Sequence, residues 1–203
     1  MSGYFFVFDG MDGSGKSTAL QAVAGQLQQR GHQVTCTREP GGSPLAERIR
    51  QCMLADWESP MPVQTELLLV FAARAAHMQQ TVLPALHQGH VVLCDRFIDA
   101  SHIYQGVLGG QPASWIDELY QRTVEREPDQ VFLFDLPVDE AIKRMQGRDH
   151  SDRFDRQGAQ ALERLRQAYR QRAELPERSL IDAHRSPAEI EQDLCQRILD
   201  AMA

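Results

Sequence analysis

Short apolar runs alternate along this chain with stretches whose apolar positions recur every three to four residues. The runs cover residues 4–9, 34–38, 91–95, 131–136 and 180–183. Their apolarity is continuous rather than alternating, which suits strands covered on both faces, as in a parallel sheet. Between the first two runs, Leu20, Val23, Ala24 and Leu27 recur at helical spacing, and Gly31 supplies a C-terminal stop. Ser43-Pro44 reads as an N-cap followed by proline at the first helical position, with Leu45, Ile49 and Met53 as the apolar stripe of that helix. A long helix is predicted over 64–80, with Pro84 kinking or restarting it. Further helices are predicted over 115–126, 138–146 and 160–173. Ser186-Pro187-Ala188-Glu189 is a capping box, followed by Ile190, Leu194 and Ile198 on one face. Residues 106–114 read as a loop and the charged segment 144–156 as a lid.

Strands alternating with helices specify an α/β fold with a parallel sheet, and right-handed crossovers place helices on both faces. With 203 residues and no repeat, low-complexity tract or linker, the chain reads as one domain, 1–203.

The chemistry begins where the first run ends. Gly10, Met11, Asp12, Gly13, Ser14, Gly15, Lys16 and Ser17, followed by Thr18, fit the phosphate-loop pattern G-x-x-x-x-G-K-S/T. The strand-then-helix context that this loop needs is also predicted. Its glycines let backbone N–H groups converge on phosphate oxygens, and the helix N-terminus adds partial positive charge. Lys16 is expected to reach the outer phosphates of ATP, and Ser17 to ligate magnesium. The pair Asp95-Arg96 ends the third run, at the sheet edge where ligands bind in open α/β folds. Asp95 is expected to hold the magnesium through water. Thr37-Arg38-Glu39-Pro40-Gly41-Gly42 follows the second run, and a cation there suits a second anion site.

Bulk properties narrow the partners. The formal net charge of −7 gives no attraction to nucleic acid or to an anionic membrane, so phosphate binding must come from local cations. Cys36, Cys52, Cys94 and Cys195 form no CxxC pair and no zinc spacing, and scattered thiols fit a reducing compartment. The N-terminal segment lacks a basic region followed by a long apolar stretch, and no run has membrane-spanning length. A cytoplasmic location is expected.

Six segments together carry a resemblance. They are DGMDGSGKST at 9–18, TREPGG at 37–42, FAARAAH at 71–77, DRFIDASHIYQG at 95–106, FDLPVDEAIKR at 134–144 and GRDHSDRFD at 147–155. In this order they resemble bacterial thymidylate kinases over essentially the whole chain. The resemblance implies a P-loop nucleoside monophosphate kinase fold with a parallel five-stranded sheet and a small lid. It implies transfer of the γ-phosphoryl group of ATP to dTMP, with Mg2+, in a homodimer whose contact would use an apolar helix face near 67–71. Asp12 then contacts the deoxyribose 3′-hydroxyl, and Arg38 grips the acceptor phosphate. Arg96 lies near both phosphates. Arg74 reads the base, donating to thymine O4 but not to a cytosine amine. Ser101 is implied as a polar contact to thymine N3, Tyr104 as the ring that excludes a 2′-hydroxyl, and Gln105 as a neighbour.

For base stacking the residues leave two positions, Phe71 and Val70, which share a helix face with Arg74; Phe71 is the first choice. Some members carry a catalytic arginine in the phosphate loop, where this chain has Gly13, and others carry it in the lid. The lid here holds Arg144, Arg148 and Arg153, with Arg148 the first candidate and Arg153 the second. The chain departs from the common pattern at Asp9, where relatives have Glu, and at Gln160-Ala161-Leu162, a segment that is usually more aromatic. Two rival readings share the phosphate loop: a kinase for another mononucleotide, and a nucleotide-operated switch, which needs no second anion site.

Overall fold

The computed structural model describes residues 3–146 and 159–203. Five strands form one parallel sheet: β1 (Tyr4–Gly10), β2 (Val34–Arg38), β3 (Val91–Asp95), β4 (Gln130–Asp135) and β5 (Arg178–Asp182), in the order β2-β3-β1-β4-β5. Beyond half-buried Tyr4, every residue of β1 is buried, and β3 and β4 are buried along their centres. Strands with both faces withdrawn from water must be covered on both, which is why their sequences are apolar without alternation. Phe6 and Phe8 on β1 both pack on Phe132 of β4, with ring centroids 6.3 and 5.4 Å apart.

The helices are α1 (Lys16–Gln29), α2 (Pro44–Leu54), α3 (Val63–His77), α4 (Leu83–His87), α5 (Ile98–Ser101), α6 (Ala113–Thr123), α7 (Val138–Gln146), α8 (Ala159–Arg172) and α9 (Pro187–Met202). The apolar stripe of α1 is buried at Leu20, Val23, Ala24 and Leu27, and Gly31 turns the chain with a φ of 89°. The capping box of α9 is formed, with the Glu189 amide donating to Ser186 Oγ and the Ser186 amide to Glu189. Among the described residues no helix is long and apolar enough to cross a membrane.

Some expected boundaries move. The long helix ends at His77 and passes through a π-helical turn, Met78–Val82, into α4. Pro84 falls in the first turn of α4, where its missing N–H is not needed. The expected loop over 106–114 is shorter, because a π-helical turn, His102–Leu108, follows α5 and α6 begins at Ala113. Helix α6 also ends at Thr123 rather than 126, and β5 begins at Arg178 rather than 180. On α2 Met53 is buried and Ile49 half-buried as expected, but Ala46 rather than Leu45 begins the buried stripe. Ser43 caps the Ala46 amide, the helix packs against α3 with Ala46 and Met53 buried, and Leu45 is left 53% exposed.

Phe132 is fully buried between the rings of β1. Phe132→Ala is expected to cost about 3–5 kcal/mol of unfolding free energy, read as a lower denaturant midpoint at unchanged slope.

Candidate functional site

Strand β1 lies between β3 and β4, so the chain reverses its direction of travel across the sheet at its carboxyl end. In open α/β sheets this is where a crevice forms. Gly10 leaves β1 with a φ of 146°, and a Cβ there would lie 2.7 Å from the Phe134 carbonyl oxygen. Gly13 has a φ of 80°, and its Cβ would lie 2.8 Å from the Ala141 carbonyl oxygen. Both positions therefore need glycine for conformation and for space. The loop enters α1 at Lys16 with no side-chain cap, which leaves N–H groups of the first turn open to an anion.

Lys16 is buried, with Nζ 3.4 Å from Asp12 Oδ1 and 3.5 Å from the Met11 carbonyl. Burial and the neighbouring Arg96 pull its pKa down, against the attraction of Asp12. Ser17 Oγ donates to Asp95 Oδ2, while Asp95 Oδ1 is buried with no hydrogen-bond partner among the described residues. These oxygens suit a hard cation such as magnesium. Arg38 and Arg50 line the same cleft. The Arg38 side chain is 55% exposed and pairs with Glu47 at 3.1 Å.

Arg96 sits in the left-handed region at φ 71°, which costs a non-glycine residue about 1–3 kcal/mol. Its amide donates to the Phe8 carbonyl at 2.8 Å, tying the turn to β1. The guanidinium donates through Nη2 to Asp12 Oδ1 at 2.7 Å, and through Nη1 to Asp9 Oδ1 at 3.4 Å and the Tyr169 hydroxyl at 3.2 Å. Burial disfavours the charged form of Asp12, but Arg96 and Lys16 outweigh it and hold the carboxyl well below the ordinary range. Asp9 is fully buried and accepts from the Gly10 and Ala100 amides and from Tyr169; burial still pushes its pKa up. The shorter acid at this position thus faces Arg96 and Tyr169. Tyr104 stacks beside Arg96, with its ring centroid 5.2 Å from the guanidinium carbon, and its hydroxyl is 3.5 Å from Asp12 Oδ2.

A second cavity adjoins this cleft and shares Asp12, Glu39, Arg50 and Arg96 with it. Arg74 forms its inner wall and is 1% exposed. Its Nε donates to Glu39 Oε2 at 2.7 Å, and its Nη2 to the Phe97 carbonyl and Ser101 Oγ, each at 3.0 Å. Nη1 is buried with no hydrogen-bond partner among the described residues. Burial alone would raise the Glu39 carboxyl, but Arg74 and His77 hold it below the ordinary glutamate value. Gln105 lines the cavity while its amide donates to Glu66 at 2.7 Å.

The structure therefore gathers Asp12, Arg74, Arg96, Ser101, Tyr104 and Gln105 around one cavity, and Lys16, Ser17, Arg38 and Asp95 around the adjoining cleft. Val70 lines the cavity; Phe71 lies outside its lining, buried beneath Arg74 with the guanidinium carbon 4.6 Å from its ring centre. Arg148 and Arg153, and nearly all of the expected lid, lie outside the described residues. Arg144 is described: its Nη2 donates to the Ala183 carbonyl at 3.3 Å, and its Nη1 lies near Gly15. On the helix face expected to carry a dimer contact, Leu67, Val70 and Phe71 are buried within the chain, and Leu68 is 48% exposed. Sequence reasoning gave no role to Glu39, Arg50 or Tyr169. Glu39 lies within the second anion motif and Arg50 on the helix that follows it, but neither position shows locally what it meets, and Tyr169 sits in an apolar stripe that reads as core.

Comparison with known proteins places these residues in a family. The thymidylate kinase profile matches residues 8–194. The chain belongs to the thymidylate kinase family. It is 46% identical to thymidylate kinase of Ectopseudomonas mendocina over 197 residues, covering 96% of this chain and 94% of that one. It is 47% identical to that of Pseudomonas entomophila over 206 residues, covering 100% and 95%. Among solved structures it superposes on thymidylate kinase from Ehrlichia chaffeensis with a TM-score of 0.77 and 27% identity, covering 98% of this chain and 99% of that one.

Gly13 occupies the loop position at which the resemblance implied an arginine in some members. Here a side chain meets the Ala141 backbone, so Gly13→Ala and Gly13→Arg are each expected to lower stability by about 1–3 kcal/mol, read as a fall in Tm. An unchanged Tm in both variants would show that the loop relaxes at no cost. The depressed Glu39 carboxyl gives a pH prediction. Its contribution to stability is complete above the ordinary glutamate value and is lost as pH falls through the lower, folded value. Glu39→Gln is accordingly expected to flatten the acid limb of a stability-against-pH curve, and an unaltered limb would contradict the assignment.

Proposed function

We propose that this protein catalyses transfer of the γ-phosphoryl group of ATP to dTMP, giving ADP and dTDP. The observation that carries the reading is Arg74 Nη1, a buried donor without a partner among the described residues, on the wall of a cavity that opens onto the phosphate loop. A buried donor of this kind calls for an acceptor. Thymine O4 is one, and the amine of cytosine in the same place is not.

The phosphate loop and Lys16 take the phosphates of ATP. Arg96, with Arg38 and Arg50 along the cleft, takes the acceptor phosphate, and Asp12 takes the sugar hydroxyl. Val70 and Tyr104 wall the base and sugar, and Ser101 Oγ, which accepts from Arg74, keeps a second lone pair for the base N3–H. Ser17 and Asp95 would hold Mg2+, which supplies charge neutralisation to the phosphates when bound. The acceptor is already a phosphate oxygen anion, so the reaction needs no strong base. Alignment and charge neutralisation by Lys16 and Arg96 do the work. Because Gly13 has no room for a side chain, a further arginine is assigned to the lid at 144–156, with Arg148 first and Arg153 second. A homodimer and a cytoplasmic location complete the reading.

Two measurements test it. A coupled ADP-release assay with ATP and magnesium is expected to favour dTMP over dUMP, dCMP, dGMP and AMP. Activity on dUMP is expected to be weaker, by the about 1–3 kcal/mol that a methyl group is worth in an apolar pocket. No acceptor-dependent release from folded protein would point instead to a nucleotide switch. Lys16→Ala is expected to remove turnover while leaving the circular dichroism spectrum intact, and near-normal turnover would remove Lys16 from the mechanism.

A further inference from the structure

Both oxygens of the Glu39 carboxylate are committed, and to residues three apart on one helix. Arg74 Nε reaches Oε2 at 2.7 Å, and His77 Nδ1 reaches Oε1 at 3.0 Å. Residues at this spacing share a helix face, so α3 presents both groups to the same acid. An ionised carboxylate only accepts, so Nδ1 carries the ring proton. On the other side of the ring, Nε2 is hydrogen-bonded to the Thr37 hydroxyl at 2.7 Å. Arg74, His77 and Glu39 are all nearly inaccessible to water. The relay runs from Thr37, next to Arg38 at the end of β2, through His77 and Glu39 to Arg74.

The Arg74 guanidinium is planar, with five N–H donors in a fixed fork. Phe71 and Phe97 lie against it, with the guanidinium carbon 4.6 and 5.1 Å from their ring centres. Rings restrain its tilt but do not set its rotation within the plane. That rotation is set by directional partners, and of the three partners Glu39, Ser101 Oγ and the Phe97 carbonyl, only Glu39 carries a charge. The guanidinium is charged in all three bonds, and only in the one to Glu39 are both partners ionised, which makes it the strongest of the three. With Nε and Nη2 occupied, Nη1 is the donor left for a ligand.

We propose that Glu39, itself held by His77 and Thr37, is a specificity-determining positioning residue that orients Arg74 so that Nη1 meets the nucleobase and thereby sets the preference for thymine over cytosine nucleotides. The proposal rests on the thymidylate kinase reading above. Glu39 acts through Arg74, so its loss changes selectivity and not only affinity.

The test is the ratio of kcat/KM for dTMP to that for dCMP, with competitive binding of dCMP supplying the ratio where its turnover is too slow. It is measured in the wild type, Glu39→Gln, Thr37→Val, Arg74→Gln and the Glu39→Gln/Arg74→Gln double variant. Glu39→Gln is expected to lower the ratio by about tenfold or more, in the range found for coupled neighbouring residues. The loss should lie more in KM for dTMP than in kcat. Thr37→Val is expected to lower the ratio in the same direction and by less. In the Arg74→Gln background, Glu39→Gln is expected to change the ratio no further.

Equal losses on dTMP and dCMP, or independent effects in the double variant, would overturn the proposal and leave Glu39 a purely structural acid. If Glu39→Gln does not fold, Thr37→Val decides, and an unchanged ratio in that folded variant counts against the relay. A wild-type enzyme without preference for dTMP fails the functional reading first, before any variant is compared.

Discussion

Withdrawing cations from water at the end of a sheet sets the terms for the rest of this structure. Lys16 and Arg74 are buried and Arg96 nearly so, and each must be met by an acceptor or left facing a ligand. The acids are placed accordingly: Asp9 and Asp12 for Arg96, Asp12 for Lys16, and Glu39 for Arg74. Because these acids come from the ends of β1 and β2, the sheet itself fixes where the cations converge. The backbone accepts local strain to the same end, with Arg96 held left-handed by its bond to the Phe8 carbonyl. Among the described residues, the buried polar side-chain atoms left unsatisfied are Arg74 Nη1 and Asp95 Oδ1 on the walls of the site and Ser14 Oγ in the phosphate loop.

The supporting elements extend this arrangement outward. Asp99, fully buried on α5, is clasped by Arg172 at the end of α8 at 2.6 Å and Arg178 on β5 at 3.0 Å. This ties the short helix that bears Ser101 to the far side of the fold. Tyr169 of α8 adds a second tie, donating to Asp9 while accepting from Arg96. Asp9 is therefore both the end of the central strand and the point at which α8 is anchored.

The sequence and the structure agree where one property decides the outcome. Continuous apolarity located β1, β3 and β4 because burial on both faces leaves no polar position to confuse the pattern, and the edge strands β2 and β5, half-buried or exposed along most of their length, were found by their shorter apolar runs. The phosphate loop was legible because glycine spacing is itself the mechanism. Agreement fails where packing selects among neighbours. Leu45 and Ala46 are adjacent on α2, and only contact with α3 determines which is buried. Val70 and Phe71 both share a face with Arg74, yet Val70 reaches the cavity while Phe71 supports the guanidinium from the core. The role of Glu39 was hidden for a different reason. Its partners lie 35 and 38 residues further along the chain, so nothing local reveals that a carboxylate between an arginine and a proline is buried. Tyr169 is more distant still, 160 residues from the acid it meets.

The π-helical turn His102–Leu108 looks, from Gly106 within it and Gly109 and Gly110 after it, like a connection free to vary in length. Its hydrogen bonds are wider, with the Gly109 amide reaching the Tyr104 carbonyl five residues back where an α-helix would span four. Ser101, Tyr104 and Gln105 all face the cavity in that wider phase. The wall of the base site thus has a register, much as a strand does, and each residue gained or lost there rotates the side chains that follow. Such a segment can change its residues over evolutionary time but cannot readily change its length.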